Sequence, residues 1–350
     1  MRETVYPNGS AVFQALAVEL EIGIPLVEEP FSEIAVRLGI SDASALSMAR
    51  EMRDSGLMRR FGTFFDHRKL GYEGYLFGVS ASGGAGPEIV EHICGAPYVT
   101  HVYEREHALN VWFTVLSKGM QNIGGVCGYL RSSGCKFVAL RTSKVIKLRP
   151  SFVGIPCGAS GSGDAGFSNS GDGESEHLDR GTLRMARAAA FVSEISERPF
   201  ADAARLSGMS AAELLGGVRG LCSRGIVRRV GASFDHHRAG WYSNSICAFD
   251  LSGEDENAVS EAAHTAVSGL PWASHCYIRE LYDCELLSKW PYNLYVMVHA
   301  VSDGELDVRE SHLREVFGGV RFVSLRTKRE IKHTYFGTFS EEHGLWKNRP

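Results

Sequence analysis

An internal repeat constrains the fold of this chain more than any other feature. The segment GLMRRFGTFFDHRKLGY, residues 56–72, returns as GIVRRVGASFDHHRAGWY, residues 225–242. Further along, FVALRTSKVIK from Phe137 returns as FVSLRTKREIK from Phe322. At 350 residues the chain is long enough for two copies that each have a core. We therefore expect one domain architecture to be built twice.

The two copies, roughly residues 11–152 and 178–338, are joined by a segment rich in glycine and serine. Residues 154–177 contain seven glycines and five serines, a composition typical of a flexible tether. The random-coil scaling of such linkers gives a span of about 25–30 Å. We predict that this tether lets the copies pack as a covalent pseudo-dimer. Whether two chains then form a homodimer stays open.

Each copy begins with a three-helix pattern followed by a basic strand. In the first copy the helical rhythm of PFSEIAVRLGIS turns at Gly39, and Ser41 is a candidate N-cap for the next helix. The second copy matches with a turn at Gly208 and a candidate N-cap at Ser210. This order predicts a winged helix-turn-helix domain in each copy.

The rest of each copy alternates strands and helices in the βαββαβ order of a split βαβ, ferredoxin-like unit. In the first copy we predict a strand at about 73–81, a helix at 87–94, strands at 98–105 and 110–116, a helix at 118–132 and a strand at 136–148. The second copy repeats this order from Ser243 to Lys332. The predicted fold class is α+β: two tandem copies of a winged helix-turn-helix domain plus a ferredoxin-like split βαβ (βαββαβ) domain, packed as a pseudo-dimer. The predicted domains are 1–62, the helix-turn-helix domain of the first copy; 63–152, its ferredoxin-like domain; 153–177, the flexible linker; 178–231, the helix-turn-helix domain of the second copy; and 232–350, its ferredoxin-like domain with a C-terminal tail.

The charge of the chain argues against nucleic acid as its main partner, although a helix-turn-helix suggests DNA. The net charge is −4 and the isoelectric point is about 6.4. The candidate recognition helix 41–54 carries two arginines against three acidic residues, and helix 210–221 carries one charge of each sign. Neither helix offers the usual electrostatic affinity for phosphates, so we expect no DNA partner.

Membrane spanning and disulfide bonding are also not expected. The apolar stretch from Ala11 to Val18 is followed by Glu19 and Glu21, and is far shorter than the ~20 residues of a spanning helix. It also lacks the basic start and cleavage site of a signal peptide. The eight cysteines include no C-x-x-C pair. These features predict a cytoplasmic protein with reduced thiols.

A His-x-Tyr-x-Arg triplet occurs once in each copy. Because side chains alternate along a strand, the three residues of a triplet should share one face. Taken singly, each residue has an ordinary structural explanation, such as a histidine bound to a carbonyl or a surface ion pair. Recurrence of the whole set in two diverged copies favours a function instead. The triplets are His101, Tyr103 and Arg105 in the first copy and His275, Tyr277 and Arg279 in the second.

The residues predicted around the triplets suit a flat ligand edged with carboxylates. The next strand should place Asn110, Trp112 and Thr114 beside the first triplet, and Asn293, Tyr295, Met297 and His299 beside the second. Arginine binds carboxylates bidentately, and aromatic rings provide a flat surface. The two RR…DH segments add Arg59, Arg60 and His67 in the first copy and Arg228, Arg229 and His236 in the second. Asp66 and Asp235 in these segments are expected to be turn or capping residues.

Several phrases together resemble the siroheme decarboxylases, a branch related to the leucine-responsive and asparagine-type regulators that does not bind DNA. They are RRFGTFFDHRKLGY, VTHVYEREHALNVWFTV, ASHCYIRE, WPYNLYVMVHA and LRTKREIK, and the resemblance covers nearly the whole chain except the tether. It implies a fused version of a two-subunit enzyme. That enzyme removes carbon dioxide from the C12 and C18 acetate side chains of siroheme and gives 12,18-didecarboxysiroheme, for heme d1 synthesis or the alternative heme pathway.

The resemblance gives the predicted site residues their roles. A general acid must protonate the carbon that loses carbon dioxide, and histidine or tyrosine is a reasonable donor. The expected catalytic residues are His101, His275, Tyr103 and Tyr277. The expected substrate-binding residues are Arg59, Arg60, His67, Arg105, Trp112, Arg228, Arg229, His236, Arg279 and Tyr295. His275 or His236 could instead ligate the siroheme iron. That iron belongs to the substrate, and no nicotinamide, flavin, pyridoxal or metal motif is visible, so no cofactor is expected.

The copies differ in ways that favour the second as the working pocket. Thirteen residues separate Arg279 from Asn293, against four between Arg105 and Asn110, so the loop ELYDCELLSKWPY is a candidate lid or an element that reaches the ligand of the other copy. Arg68 is replaced by His237, and Leu148 by His333. Two other functions stay open at this stage. One is a transcriptional regulator of the leucine-responsive type that senses a tetrapyrrole or other small molecule, and the other is a tetrapyrrole carrier without chemistry.

Overall fold

The computed structural model describes residues 10–81, 86–148, 178–286 and 289–335. The predicted linker at 153–177 lies outside the described residues, as does the C-terminal tail from residue 336 onward. None of the helices in the described ranges combines the length and the apolar character of a membrane span. The cysteines in these ranges are free thiols.

The same order of helices and strands occurs in both copies. The first copy contains α1 (Ala11–Ile22), α2 (Pro30–Leu38), α3 (Asp42–Asp54), β1 (Met58–Phe65), β2 (Glu73–Val79), α4 (Gly86–Gly95), β3 (Val99–Arg105), β4 (Val111–Ser117), α5 (Gln121–Ser132) and β5 (Phe137–Leu148). The second contains α6 (Arg180–Ala190), α7 (Pro199–Ser207), α8 (Ala211–Ser223), β6 (Val227–Phe234), β7 (Ser243–Phe249), α9 (Glu256–Val267), β8 (Ala273–Cys284), β9 (Leu294–Ala300), α10 (Asp303–Val316) and β10 (Phe322–His333). From β2 to β5 the observed bounds differ from the predicted ones by at most three residues.

The predicted turns and caps of the helical regions are confirmed. Gly39 and Gly208 follow α2 and α7 with φ angles of 66° and 68°, a left-handed conformation that favours glycine. The hydroxyls of Ser41 and Ser210 each accept a hydrogen bond from the backbone N–H three residues later. These bonds satisfy donors that the first turn of a helix leaves unpaired.

The basic strands that were predicted as wings pair with each other. β1 and β6 form an antiparallel ribbon in which Gly62 lies opposite Gly231. The local pattern predicted a strand but carried no information about its partner. Helix α1 packs so closely on this ribbon that a Cβ atom at Gly231 would lie 2.4 Å from the carbonyl oxygen of Leu20. The ribbon thus joins the two helical regions.

The remaining eight strands close into one barrel that both copies build. Its order is β10-β3-β4-β2-β5-β8-β9-β7. The four strands of each copy would by themselves form a sheet with two unpaired edge strands. The edge strands of the two copies pair with each other, β3 with β10 and β5 with β8, and these pairings close the barrel. Helices α4, α5, α9 and α10 cover the outer face, where Val102 and Ile278 are buried.

The opposite strand face points into the barrel. Trp112 and Tyr295, one from each copy, belong to a single apolar cluster there, together with Leu325 of β10. The triplets lie on this same face because they alternate with Val102 and Ile278. Because β3 pairs with β10 and β8 pairs with β5, each triplet lies next to the last strand of the other copy.

Candidate active site

Each triplet forms a continuous stack along its strand. In the first copy the ring centroids of His101 and Tyr103 are 6.4 Å apart, and the guanidinium carbon of Arg105 lies 5.1 Å from the tyrosine ring centroid. The corresponding distances in the second copy are 6.0 Å and 4.8 Å. The prediction that the three side chains of each triplet share one face of their strand is confirmed in both copies.

The neighbouring strands lie in the predicted register. Thr114 and Trp112 are opposite the histidine and tyrosine of the first triplet. Met297 and Tyr295 take the same places beside the second triplet. The sheet pairing thus brings the predicted aromatic side chains beside the predicted acid and cation.

Trp112 and Tyr295 also have packing roles inside the barrel. Trp112 is 1% exposed, and its indole N–H donates to the carbonyl of Leu109 at 2.6 Å. Tyr295 is 2% exposed; its hydroxyl accepts a hydrogen bond from Trp290 at 2.7 Å and donates to the carbonyl of Tyr292 at 2.9 Å. A role of these two rings in substrate binding stays a prediction.

The triplet arginines are buried cations. Arg105 is 2% exposed, and its Nη1 donates to the carbonyl of Leu325 and the hydroxyl of Thr327. Arg279 is 8% exposed, and its Nη1 donates to the hydroxyl of Thr142. Both threonines belong to the repeated LRT sequence and were not among the predicted site residues. Within the described ranges neither arginine Nε has a hydrogen-bond partner. Burial lowers the pKa of Arg105 to about 10, so it stays charged at neutral pH.

A carboxylate from the second copy lies against the first triplet. Glu330 of β10 pairs with Tyr103, and His333 pairs with His101. The Tyr103 hydroxyl donates to Glu330 at 3.3 Å, and the rings of His101 and His333 are 4.2 Å apart. Although burial alone would raise it, hydrogen bonds from His333 and Arg59 hold the pKa of Glu330 well below its usual range. The repeat did not point to Glu330, because the first copy has Val145 at the same place.

Arg59 connects the ribbon to this carboxylate. Its Nη1 lies 3.0 Å from Glu330, and its Nη2 lies 2.7 Å from Asp235 of the other copy. Asp235 also accepts the backbone N–H of Arg238 at 2.9 Å, which confirms its predicted turn role. Arg59 is thus neutralised by two carboxylates of the second copy.

The second triplet has apolar neighbours instead. Val145 pairs with Tyr277, and Leu148 pairs with His275. Arg228, the counterpart of Arg59, donates from Nη2 to the carbonyl of Phe65 at 3.2 Å. No carboxylate of the described residues lies within 4.0 Å of its guanidinium nitrogens. The two sites therefore differ in charge although their triplets are the same.

The other predicted arginines lie on the ribbon. Arg60 and Arg229 have their guanidinium carbons 4.8 Å and 4.1 Å from the ring centroid of Phe64. They donate to the carbonyls of Thr63 and Ala232. These contacts hold the ribbon together, and a further role in binding stays a prediction.

A chain of polar contacts leads away from His275. Its Nδ1 lies 2.7 Å from the hydroxyl of Ser274, which lies 2.9 Å from Nε2 of His299. The ring of His299 is 5.6 Å from that of His236, and His236 lies 3.5 Å from Asn244. The sequence patterns predicted His299 and His236 near the site but not Ser274 or Asn244, whose contacts with these histidines join residues that are separated along the chain. The first copy has Leu116 in place of His299.

The buried histidines are neutral in the unliganded protein. Burial lowers the pKa of His101 to about 3 and that of His275 to about 4, with nearby cationic groups adding to the effect. Burial likewise lowers the pKa of His67 and His236 to about 4. Burial raises the pKa of the Tyr277 hydroxyl, which therefore keeps its proton. Carboxylates of a bound ligand would raise the histidine pKa values again.

These shifts predict a loss of stability in mild acid. The histidine pKa is about 6.5 in the unfolded chain and about 3 to 4 in the folded one. Between these values the unfolded state binds more protons, so the free energy of unfolding should fall as the pH falls from 6.5 toward 4. Urea unfolding at several pH values measures this slope. The slope should become shallower in His275→Gln, whose side chain does not titrate, and equal slopes in the two proteins would contradict the assignment.

Two family models match this chain. Residues 14–59 match the siroheme decarboxylase NirDL-like HTH domain, and residues 238–332 match the AsnC-like ligand binding domain. The first match covers α1 to α3, and the second covers the strands and helices from β7 to β10. They agree with an α+β fold that has an N-terminal helix-turn-helix region and an AsnC-like domain.

Known siroheme decarboxylases match nearly the whole chain or one part of it. A siroheme decarboxylase of Hydrogenobacter thermophilus is 26% identical over 95% of this chain and 97% of its own length. The siroheme decarboxylase alpha subunit of Oleidesulfovibrio alaskensis is 30% identical over 38% of this chain and 82% of its own length. A crystal structure of the siroheme decarboxylase NirDL in co-complex with an iron-uroporphyrin III analogue is 25% identical, with a TM-score of 0.66 over 96% of this chain and 97% of that one. The resemblance found in the sequence is confirmed, and the chain belongs to the siroheme decarboxylase family.

Proposed function

We propose that this chain is a siroheme decarboxylase, a carboxy-lyase that converts siroheme to 12,18-didecarboxysiroheme by removing carbon dioxide from the C12 and C18 acetates. The observation that supports this most is the buried guanidinium of Arg279, which is stacked on Tyr277 and whose Nε has no hydrogen-bond partner among the described residues. Burying a cation without an anion is costly. A tetrapyrrole edged with acetates and propionates would supply that anion. The product would enter heme d1 or alternative heme biosynthesis.

The reaction needs a proton but no oxidant or reductant. The bond between the acetate CH₂ and its carboxylate breaks, and carbon dioxide leaves without the bonding electron pair. That pair stays on the CH₂ carbon and is delocalised into the conjugated macrocycle. A proton from a general acid then forms the third C–H bond of a methyl group.

In the second copy, Arg279 would bind a substrate carboxylate and His275 would deliver the proton. Bringing substrate carboxylates beside His275 raises its pKa from about 4 toward the range in which it can carry a proton at neutral pH. Tyr277, protonated and stacked between the two, is the other candidate donor. Ligation of the siroheme iron by His275 or His236 is the competing role.

We propose no protein-bound cofactor, because the macrocycle itself accepts the electron pair.

We also propose that the two tandem copies act as a covalent pseudo-dimer, each with a winged helix-turn-helix and a ferredoxin-like part. The alignment lengths support this, because the separate alpha subunit spans only 38% of this chain. The shared barrel makes each copy complete the site of the other. A regulator that acts on DNA is not favoured, since α3 and α8 lack an excess of basic side chains.

Incubation of the purified chain with siroheme in the absence of oxygen tests the proposed function. We expect a product that is lighter by two carbon dioxide units in mass spectrometry. The chain alone should suffice, because it contains both copies. Correctly folded protein that leaves siroheme unchanged would show that the proposal is wrong, and spectra of binding without turnover would favour a carrier.

A further inference from the structure

We propose that siroheme carboxylates bind at the second-copy triplet, and that Glu330 keeps them from the first-copy triplet by occupying the place of a substrate carboxylate. This inference rests on the proposed function, because it needs a ligand edged with carboxylates. It assigns to Glu330 a role in deciding which of two similar triplets receives the substrate.

Glu330 makes the contacts that a substrate carboxylate would make. It receives two hydrogen bonds from the fork of Arg59, at 3.0 Å and 3.3 Å, and one from the hydroxyl of Tyr103 at 3.3 Å. Bidentate binding by arginine is the usual way in which proteins hold carboxylates. At the matching place in the other site, Val145 pairs with Tyr277 as Glu330 pairs with Tyr103. The first triplet therefore has a carboxylate of the protein beside its tyrosine, whereas the second triplet has a valine at that place.

A second difference leaves Arg228 without an ion pair to any described residue. Asp235 lies 2.7 Å from Arg59, but its counterpart Asp66 is held by Arg68 at 2.8 Å. The second copy has His237 where the first has Arg68, so no arginine competes there for Asp235. Among the described residues, Arg228 has no carboxylate within 4.0 Å, and its Nε has no hydrogen-bond partner.

The charges of the two sites consequently differ. Among the described residues, two arginines and two carboxylates lie near the first triplet, and three arginines and one carboxylate lie near the second. A polyanionic ligand is attracted to the site with unbalanced positive charge. The charged residues are Arg59, Arg105, Asp235 and Glu330 at the first site and Arg68, Arg228, Arg279 and Asp66 at the second.

Two variants of Val145 test the inference. Iron-uroporphyrin III, of which an analogue is bound in the crystal structure of a related siroheme decarboxylase, serves as the probe, and its Soret absorbance reports binding. Val145→Glu reproduces Glu330 in the second site, and Val145→Gln is the size-matched uncharged reference. We expect the Glu variant to bind about tenfold or more weakly than the Gln variant, since like charges in contact cost several kcal/mol.

A third variant, Glu330→Gln, keeps the test decisive if Val145→Glu does not fold, which circular dichroism would show. Removing the charge of Glu330 should not tighten binding, because the probe lies at the other triplet. Tighter binding by Glu330→Gln, or equal affinities of the two folded Val145 variants, would overturn the inference and leave the proposed function standing. A parent protein that binds no probe would instead count against the proposed function itself.

Discussion

Replacing His275 by alanine should leave siroheme bound but slow its decarboxylation by about 10²–10⁴-fold, the contribution typical of a positioned general acid. The ring of His275 is fixed by the hydroxyl of Ser274 at 2.7 Å and stacked on Tyr277. Removing it takes away a proton donor but none of the arginines that hold carboxylates. Single-turnover rates with siroheme, compared with affinities from Soret titration, separate the two effects.

Two further variants sharpen this experiment. Tyr277→Phe keeps the ring but loses the hydroxyl, so a larger rate loss in this variant than in His275→Ala would transfer the acid role to tyrosine. A shifted Soret band in the His275→Ala complex would identify His275 as an iron ligand instead. His101→Ala reports on the first copy, and the charge difference between the sites predicts a smaller rate loss there.

Replacing Arg279 by alanine should mainly weaken siroheme binding. A hydrogen bond between charged groups is worth about 1.5–3 kcal/mol, which corresponds to roughly 10-fold to 150-fold in affinity. Arg279 is 8% exposed, and its Nε is unpaired among the described residues, so a substrate carboxylate is the partner it lacks. We expect the rate at saturating siroheme to fall less than the affinity.

Arg279→Lys is the matched control for this variant. Lysine keeps the positive charge but cannot present the planar fork that binds a carboxylate at two points. Its affinity should therefore lie between those of the parent and Arg279→Ala. An unchanged affinity in Arg279→Ala would show that this guanidinium has only a structural role. Arg105→Ala, measured in the same way, should lose less affinity.

The local parts of the candidate site could be predicted from sequence because they follow from strand periodicity. In VTHVYER, alternation alone places His101, Tyr103 and Arg105 on one face, and the structure confirms it. The register with β4 followed from the short connection between the two strands. Both features involve neighbours in sequence.

The contacts between copies could not be predicted in this way. Glu330 lies 227 residues from Tyr103 along the chain, yet the two are hydrogen-bonded. The ribbon strands are a similar case, since β1 pairs with β6 of the other copy. A pattern of alternating residues predicts that a strand forms and which face is polar, but not which edge it joins. The charge difference between the two triplets depends on those edges and therefore appeared only in the structure.

Turnover of siroheme by the purified chain in deuterium oxide, without oxygen, tests the central claim most directly. If an N–H or O–H group protonates the carbon that loses carbon dioxide, mass spectrometry should show a product that has lost two carbon dioxide units. Each of its two new methyl groups should carry one deuteron. Unchanged siroheme in the presence of folded protein, or decarboxylated product whose new methyl groups contain no deuterium, would contradict the account.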